Sequence, residues 1–449
     1  MAERFDVIII GMGPGGEACA GRLMAAGKRA AVIEKELIGG ECGYWACIPS
    51  KTLLRPPEAR AEATRTAGLA TPTLDWAGLR DYRDYMVRHL DDTAQVSGYE
   101  KAGATVIKGQ ARLAGPGHVE AAGRLLQADH VVIATGSAPV RPAVEGLDQV
   151  TVWTNREATT VRDIPARVLL IGGSAVGVEL GTFYARMGAA VTIIQRADRL
   201  IDREEPRVGE LAARALAADG VSIRAGRAAV RAERAAGETV VTLDDDSRVE
   251  TDVVILAAGR RPSTGGLSLE ASGITPDERG AIPIDAHCRA GEGLWALGDV
   301  TGVALFTHVA MYQGRVVADN ILGRPRVAAY HGIPRVVFGD PEIAAVGMTT
   351  AQARAAGVSV ATAEIGLADA IARPWTYERD PGGVLGLIAD RDRRILVGAW
   401  AVAPLASEWI HTAALAIRAA IPLDMLLDQV AQFPTYSEAY LAALERLTP

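Results

Sequence analysis

Cysteine is scarce in this chain, and long hydrophobic runs are missing from it. Only four of its 449 residues are cysteine, too few for a disulfide-stabilised scaffold. The longest apolar runs have the length of a β-strand, far below the roughly 20 residues that a membrane-spanning helix needs. The first residues also lack the basic start and apolar core of a signal peptide. These absences predict a cytoplasmic protein that does not associate with membranes.

Basic residues are fewer than acidic ones. The chain has 47 Lys and Arg against 54 Asp and Glu, a formal net charge of −7 at pH 7. Because nucleic-acid binding calls for a basic face, we expect no nucleic-acid partner. Hydrophobic residues make up 49% and charged residues 22%, as in ordinary soluble globular proteins. The length exceeds what one hydrophobic core supports, which predicts about two to four domains.

A glycine-rich turn follows the first apolar run, which covers residues 5–10. In a dinucleotide-binding βαβ unit, Gly11 would permit the tight turn, and Gly13 would let a pyrophosphate approach the backbone. Gly16 would let the following helix pack closely on the strand. Glu34 ends the next apolar run about twenty residues later, where an acid meets a ribose hydroxyl. The pattern predicts a first dinucleotide site.

The same pattern occurs a second time. The apolar run 167–171 leads into Gly172, and Gly177 stands where the third glycine is expected. Ser174 occupies the middle glycine position, so this copy is imperfect, although a small residue still fits beside a pyrophosphate. A helical pattern and another strand follow. We therefore predict a second dinucleotide site.

The strand after the second turn ends in Gln195 and Arg196, without an acid. A carboxylate there would accept from a ribose 2′-hydroxyl and repel a 2′-phosphate, whereas Arg196, helped by Arg199 or Arg203, would pair with that phosphate. This favours NADPH over NADH, with NADH still possible. The alternative is a solvated arginine in an arginine-rich chain.

Two of the four cysteines, Cys42 and Cys47, lie five positions apart shortly after the first glycine turn. In a cytoplasmic chain a close pair is more often redox-active than structural. A dinucleotide-binding turn followed by such a pair suggests transfer of electrons from a bound dinucleotide cofactor, such as a flavin, to a disulfide. The structural alternative is a pair that stays oxidised and takes no part in turnover. Cys19 and Cys288 stand alone and are expected to be buried.

Taken in order, these motifs resemble those of the FAD-dependent pyridine nucleotide-disulfide oxidoreductases, among them dihydrolipoamide dehydrogenase, glutathione reductase and mercuric reductase. The resemblance implies an α/β fold with two Rossmann-like dinucleotide-binding domains, a C-terminal α+β interface domain and a homodimer whose partner subunit completes each active site. The segments that carry the resemblance are the two glycine turns, the redox loop ending in Ile48-Pro49-Ser50-Lys51, and residues 134–136, 259–262, 298–299 and 433–438. The implied domain bounds are 1–148 and 265–330 for FAD, 149–264 for NAD(P) and 331–449 for dimerisation.

The resemblance also implies roles for individual residues. Cys47 would be the thiolate beside the flavin, Cys42 would attack the substrate, and Lys51 would pair with Glu179 near the flavin. No metal site is expected. The residues implied to contact FAD are Gly11, Gly13, Gly16, Glu34, Lys51, Ala111, Thr135, Gly136, Asp299, Leu305, Thr307 and His308, of which Leu305 to His308 would do so through the backbone. Those implied to hold the nicotinamide coenzyme are Gly172, Ser174, Gly177, Arg196, Arg203 and Gly259.

The chain departs from this family at the proton donor. The family places a histidine of the partner subunit five residues before a glutamate, and here Glu438 is present while Phe433 stands in the histidine position. Loss of a general acid or base costs about 10²–10⁴ in rate. A disulfide reductase would then depend on Tyr436, on water or on a substrate with a good leaving thiol.

Three further functions therefore stay open. Electrons could pass directly from the flavin to a quinone or another small-molecule acceptor. The chain could be a soluble transhydrogenase, which also has an aromatic residue before Pro-Thr and an Ala-Tyr pair like Ala439-Tyr440, but lacks the second redox cysteine that Cys47 provides. It could also be a non-catalytic flavoprotein redox sensor. Mercury reduction is disfavoured, because no cysteine follows Cys288.

Overall fold

Helices and strands alternate along much of the chain, whose computed structural model describes residues 2–235 and 237–447. The α-helices in these residues are α1 (Pro14–Ala25), α2 (Gly40–Tyr44), α3 (Cys47–Arg65), α4 (Trp76–Met86), α5 (Thr93–Lys101), α6 (Asn155–Thr159), α7 (Ala175–Arg186), α8 (Pro206–Ala218), α9 (Thr307–Ile321), α10 (Thr350–Ala355), α11 (Leu367–Ala370), α12 (Arg373–Tyr377), α13 (Ala406–Trp409), α14 (His411–Ala419), α15 (Leu423–Leu427) and α16 (Ala439–Leu447). Short 3₁₀ helices cover Arg88–Leu90, Leu269–Ser272, Gly298–Thr301 and Tyr436–Glu438.

The strands of the described residues belong to five sheets. In chain order they are β1 (Glu3–Ile10), β2 (Ala30–Glu34), β3 (Thr105–Lys108), β4 (Ala111–Leu113), β5 (His118–Ala121), β6 (Arg124–Ile133), β7 (Ser137–Pro139), β8 (Val152–Trp153), β9 (Arg167–Ile171), β10 (Ala190–Gln195), β11 (Ser222–Ala225), β12 (Ala229–Ala235), β13 (Glu238–Leu243), β14 (Arg248–Thr251), β15 (Val253–Leu256), β16 (Arg260–Pro262), β17 (Arg289–Gly291), β18 (Leu294–Ala296), β19 (Pro334–Val337), β20 (Glu342–Gly347), β21 (Val360–Gly366), β22 (Val384–Asp390) and β23 (Ile395–Ala403).

Two compact units make up the chain. The first consists of residues up to Pro49 together with Asp81–Val140 and Gly259–Ala329, and the second consists of Ser50–Arg80, Arg141–Ala258 and the residues from Tyr330 onward. Each unit contains hydrophobic clusters of its own. The finer domain bounds given above stay a prediction.

The first unit is built on a largely parallel sheet in the order β17-β18-β6-β1-β2-β3, to which β5 and then β4 are added at β6. Alternate residues of β1 face opposite cores: Ile8 and Ile10 pack in one cluster, and Val7 and Ile9 in another. A parallel sheet covered on both faces is the reason why these strands read as continuous apolar runs. The carboxyl ends of β1 and β2 then meet at one edge of the sheet.

The second unit contains a parallel sheet in the order β11-β10-β9-β15-β8 and an antiparallel sheet in the order β19-β20-β23-β22-β21. In β9, Val168 and Leu170 pack in one cluster, and Leu169 and Ile171 in another. The antiparallel sheet is also covered on both faces, and its helical cover includes α14 and α16. The predicted α/β fold with an α+β C-terminal part is thereby confirmed. No helix of the described residues is long and apolar enough to cross a membrane.

Candidate functional site

The first glycine turn lies at the carboxyl end of β1 and leads into α1. Gly11 has φ +99°, and a Cβ there would come within 2.4 Å of the Ala134 carbonyl oxygen. A Cβ on Gly16 would lie 2.1 Å from the Gly11 carbonyl oxygen. A Cβ on Gly13, by contrast, would make only an ordinary van der Waals contact, with the Cα of Gly40 at 4.0 Å. The turn therefore leaves room for a ligand at Gly13, beside the free N–H groups at the start of α1.

Glu34, the last residue of β2, is hydrogen-bonded to the backbone of this turn. One carboxylate oxygen accepts from the backbone N–H of Met12 at 2.8 Å, and the other accepts from the N–H of Glu36 at 2.9 Å. The carboxylate is buried, so these bonds hold it in place at the edge of the sheet. Since each oxygen has a second lone pair, the group can also accept from a ribose hydroxyl.

Asp299 lies in the 3₁₀ helix Gly298–Thr301, directly after β18 rather than within a strand. Ser137 donates to it at 2.6 Å, and the Arg260 guanidinium donates to Ser137 Oγ at 2.8 Å. Burial raises the pKa of the Asp299 carboxyl, while the Ser137 hydrogen bond opposes this shift. Nearby, Thr135 donates to the Ser263 carbonyl oxygen at 2.8 Å.

These groups fit an FAD molecule. The open face at Gly13 suits a pyrophosphate, Glu34 suits the adenosine ribose, and Asp299 has one oxygen left to accept from a ribityl hydroxyl. Most of the other residues that the resemblance implied for FAD lie in the same unit: Ala111 begins β4, Gly136 has φ +71°, and Leu305 and His308 are exposed, Leu305 shortly before α9 and His308 in its first turn. Lys51 is the exception, because it belongs to the second unit.

The second glycine turn, in the second unit, repeats the geometry of the first. Gly172 has φ +117°, and a Cβ there would lie 2.2 Å from the Ala257 carbonyl oxygen. A Cβ on Gly177 would lie 2.0 Å from the Gly172 carbonyl oxygen. Ser174 takes the place of the middle glycine as the N-cap residue of α7 and adopts extended backbone angles that suit any residue. The serine is therefore compatible with the turn.

Gln195 is the structural counterpart of Glu34. It is the last residue of β10, and its side-chain oxygen accepts from the N–H of Gly173 at 3.0 Å, as Glu34 accepts from Met12. The backbone of the first turn thus donates to a carboxylate, and that of the second turn donates to a neutral amide. The amide keeps an NH₂ group for donation, which a carboxylate lacks.

The arginines that follow Gln195 differ in how they are held. Arg196 and Arg203 are exposed. Arg199 is tied locally, because it pairs with Asp198 at 3.2 Å and donates to the carbonyl oxygen of Asp202 at 2.8 Å. Arg196 and Arg203 are therefore the better candidates for an anionic ligand. Gly259 has φ +108° and lies between β15 and β16, where the chain enters the first unit.

The two redox cysteines come together in the first unit around one hydroxyl group. Cys42 lies in α2, Cys47 is the first residue of α3, and Thr307 is the first residue of α9. The Thr307 hydroxyl donates to Cys42 Sγ at 3.2 Å and lies 3.5 Å from Cys47 Sγ. Both cysteines are half-buried, and no disulfide joins them in this structure. Sequence reasoning placed only the Thr307 backbone at the site, and the contact of its side chain with both sulfurs was missed.

Cys19 and Cys288 are fully buried in one hydrophobic cluster, and burial raises the pKa of the Cys19 thiol to about 12. Both observations agree with their expected role as small core residues. Within the described residues, no group of three or more His, Cys, Asp or Glu side chains is arranged to hold a metal ion.

Lys51 and Glu179 form an ion pair in the second unit, with Nζ 2.7 Å from the carboxylate. The other Glu179 oxygen accepts from the N–H of Phe338 at 3.1 Å, and Lys51 Nζ lies 4.8 Å from the centre of the Phe338 ring. The glutamate is almost fully buried. The pair that the sequence implied is therefore present, and the lysine is held in one position.

The C-terminal motif is arranged around buried aromatic rings. Phe433 is 63% exposed, and Glu438 has a buried carboxylate oxygen with no partner among the described residues. Tyr436 is only 5% exposed, and its ring packs against Trp409 and Tyr377. Burial, followed by the charge of Glu378, raises the pKa of Tyr436 to about 12. Tyr436 is therefore poorly suited to donate a proton.

Comparisons with known proteins show which proteins the chain is similar to. Residues 5–314 match the family model of the pyridine nucleotide-disulphide oxidoreductases, and residues 333–444 match the dimerisation domain of that family. The chain is 34% identical over 460 residues to the mercuric reductase of Streptomyces lividans, covering 99% of this chain and 96% of that protein. It is 34% identical over 461 residues to a dihydrolipoyl dehydrogenase of Thermus scotoductus, covering 99% and 98%.

Solved structures show the same similarity. The Cu(II) complex of the HOCl-induced flavoprotein disulfide reductase RclA from Escherichia coli superposes with a TM-score of 0.89 at 26% identity, covering all of both chains. LpdA from Mycobacterium tuberculosis superposes with a TM-score of 0.88 at 26% identity, again over all of both chains.

Proposed function

Since this chain belongs to the pyridine nucleotide-disulphide oxidoreductases, we propose that it carries reducing equivalents from NADPH through FAD to the Cys42–Cys47 pair. From there they pass to a disulfide or another thiol-reactive acceptor. The observation that supports this most directly is the meeting of the two cysteine sulfurs at the Thr307 hydroxyl. FAD, when bound, supplies a hydride acceptor that can pass two electrons on to a disulfide.

The two cysteines have different roles in this proposal. Cys47 begins the 19-residue helix α3, and the partial positive charge of a helix N-terminus favours a thiolate. Cys42 attacks the acceptor and forms a mixed disulfide, which Cys47 then resolves. Gly13, Glu34 and Asp299 hold FAD, and the turn at Gly172 together with Arg196 holds NADPH. The exposed arginine and the neutral Gln195 support the preference for NADPH.

A homodimer is part of the proposal. The match to a dimerisation domain supports it, and so do large apolar side chains that this region leaves exposed: Leu415, Met425, Val430 and Phe433. Where such side chains form a contiguous patch, they are typical of a protein interface. The partner subunit would bring its C-terminal motif, with Phe433 and Glu438, to each active site.

The acceptor class follows from the thiol chemistry. A dithiol reduces disulfides and also binds soft metal ions, and the names of two relatives, a mercuric reductase and a disulfide reductase in complex with Cu(II), mention such ions. This chain has no cysteine after Cys288 that could hand a mercury ion to the site. A disulfide is therefore the favoured acceptor.

A second candidate is direct reduction of a quinone or another electron acceptor by the flavin. The observation that favours it is Phe433, an exposed side chain that cannot titrate where the family has its proton donor. Such a reaction needs no thiol and no histidine. A transhydrogenase would likewise bypass the thiols, and a redox sensor would show no NADPH turnover with any acceptor.

An anaerobic dithionite titration, followed by absorbance, separates these functions. Uptake of about four electrons per FAD, with a charge-transfer band after the first two, would support the dithiol route. Uptake of only two electrons, with direct bleaching of the flavin, would refute it and favour the quinone reductase or the transhydrogenase. The Cys42→Ser/Cys47→Ser double variant is the matched control, because it can take up no more than two.

A further inference from the structure

One hydroxyl group lies within hydrogen-bonding distance of both redox sulfurs. Thr307 Oγ1 donates to Cys42 Sγ at 3.2 Å. It also lies 3.5 Å from Cys47 Sγ, a contact in which either atom can donate. A threonine hydroxyl has one donor hydrogen and two acceptor lone pairs. It can therefore accept from one thiol while it donates to the other sulfur.

The position of Thr307 is fixed by the packing of α9. Gly314 in this helix lies against α1 so closely that a Cβ on it would come within 2.5 Å of the Gly15 carbonyl oxygen. Gln313 accepts from the N–H of Gly298 at 2.6 Å in a buried hydrogen bond. With α9 anchored in this way, its first residue has little freedom to move away from the sulfurs.

We propose that the hydroxyl of Thr307 relays a proton between the thiols of Cys42 and Cys47, so that either sulfur can become the thiolate. Starting from a Cys42 thiol and a Cys47 thiolate, the Cys42 proton passes to Oγ1 while the hydroxyl proton passes to Cys47. The products are a Cys42 thiolate and a Cys47 thiol. No net charge or proton leaves the site.

The relay supplies the proton that the oxidative half-reaction requires, and in this respect it rests on the proposed function. The Cys42 thiolate attacks an acceptor disulfide RSSR and releases RS⁻. Cys47 then gives up its proton, attacks the Cys42 sulfur and releases a second RS⁻, and the proton ends on one of the two leaving thiolates. In the overall reaction, the singly protonated dithiol of the enzyme and RSSR are converted to the Cys42–Cys47 disulfide, RSH and RS⁻. The enzyme is thereby oxidised by two electrons. Nothing at position 433 has to titrate.

The test compares Thr307→Val, which keeps the shape but loses the hydroxyl, with Thr307→Ser, which keeps the hydroxyl. Each FAD-loaded dimer is reduced chemically, freed of reductant and alkylated anaerobically with iodoacetamide at neutral pH. Cleavage after Tyr44 or Trp45 by chymotrypsin places Cys42 and Cys47 on separate peptides, so mass spectrometry gives a rate for each. Thr93→Val, a change at the first residue of α5 in the same unit, is the control, and FAD content reports on folding.

In Thr307→Val we expect alkylation of Cys42 to slow by about tenfold, since a hydrogen bond to a charged group is worth about that factor or more. The alkylation rate of Cys47 should not fall, because Cys47 stays at the N-terminus of α3, where the helix dipole favours its thiolate. Thr307→Ser and Thr93→Val should stay within about twofold of the wild type. Equal Cys42 rates in wild type and Thr307→Val would overturn the relay, and so would a serine variant as slow as the valine variant. Failure of the proposed function would be detected in a different experiment: the wild type would take up only two electrons per FAD in the dithionite titration.

Discussion

Replacement of Gln195 by glutamate should change the coenzyme preference without unfolding the second glycine turn. Glu34 closes the first turn by accepting from Met12 N–H at 2.8 Å, so a glutamate at 195 can keep the bond to Gly173. It would add one negative charge where the 2′-phosphate of NADPH is expected. For a charge of −1 and a phosphate near −2 about 5 Å apart, the repulsion in water is about 1.5 kcal/mol, or roughly tenfold.

The assay is the ratio of kcat/KM for NADPH to kcat/KM for NADH, measured with a dye or disulfide acceptor. Gln195→Glu should lower this ratio by about tenfold, and more if the site excludes water. Arg196→Ala should lower it in the same direction by weakening the phosphate contact. Gln195→Ala is the matched control, because it removes the bond to Gly173 and should weaken both coenzymes alike. An unchanged ratio in Gln195→Glu would refute the assignment of the phosphate to this strand end.

Three other outcomes are expected. Cys47→Ser should abolish the thiolate-to-flavin charge-transfer absorbance, and survival of that band would mean that another sulfur is the donor. Phe433→His should raise disulfide reductase activity by restoring a titratable group five residues before Glu438, and no gain would argue that the substrate pocket has also changed. Asp340→Asn should lower the free energy of unfolding by about 2–4 kcal/mol, measured by denaturant titration, because it breaks a largely buried pair with Arg65 at 2.9 Å. Burial raises the pKa of Asp340, but hydrogen bonds and charges from Arg65 and Arg186 outweigh this effect and hold the pKa below its ordinary value. The stabilisation by Asp340 is therefore present above the unfolded pKa of about 4 and is lost as pH falls through the folded pKa. The difference in unfolding free energy between variant and wild type should accordingly narrow in acid.

Local sequence patterns were sufficient for the nucleotide turns. Gly11 and Gly172 could be found because each directly follows an apolar strand, and the tight approach of the Ala134 and Ala257 carbonyl oxygens excludes a side chain at both positions. Such a constraint acts within one βαβ unit, so its signal lies within a short stretch of sequence.

Contacts between distant parts of the chain were harder to predict. The Thr307 hydroxyl contacts Cys47, which lies 260 positions away in the sequence. No periodic pattern of nearby residues indicates which threonine will lie beside a distant sulfur. The hydrogen bonds that link Arg260 to Ser137 and Ser137 to Asp299 were missed for the same reason. They depend on how β7 and β16 pair. The Lys51–Glu179 pair was an exception only because a resemblance to a known family pointed to it.

In the proposed reductase, no titratable group on the C-terminal motif has to act in place of the histidine that the resemblance implies at position 433. Tyr436 is the nearest candidate in sequence, yet its ring is enclosed by Trp409 and Tyr377 and its hydroxyl is buried. A proton donor must reach the leaving thiolate, and Tyr436 could do so only by opening this aromatic cluster. The Thr307 hydroxyl already contacts the sulfurs of Cys42 and Cys47, and in the proposed relay the leaving thiolate receives its proton from Cys47, so that the aromatic cluster stays closed. Proton transfer by a group of the same subunit would free position 433 from its catalytic constraint, and an exposed phenylalanine there could then serve acceptor binding or the dimer interface instead.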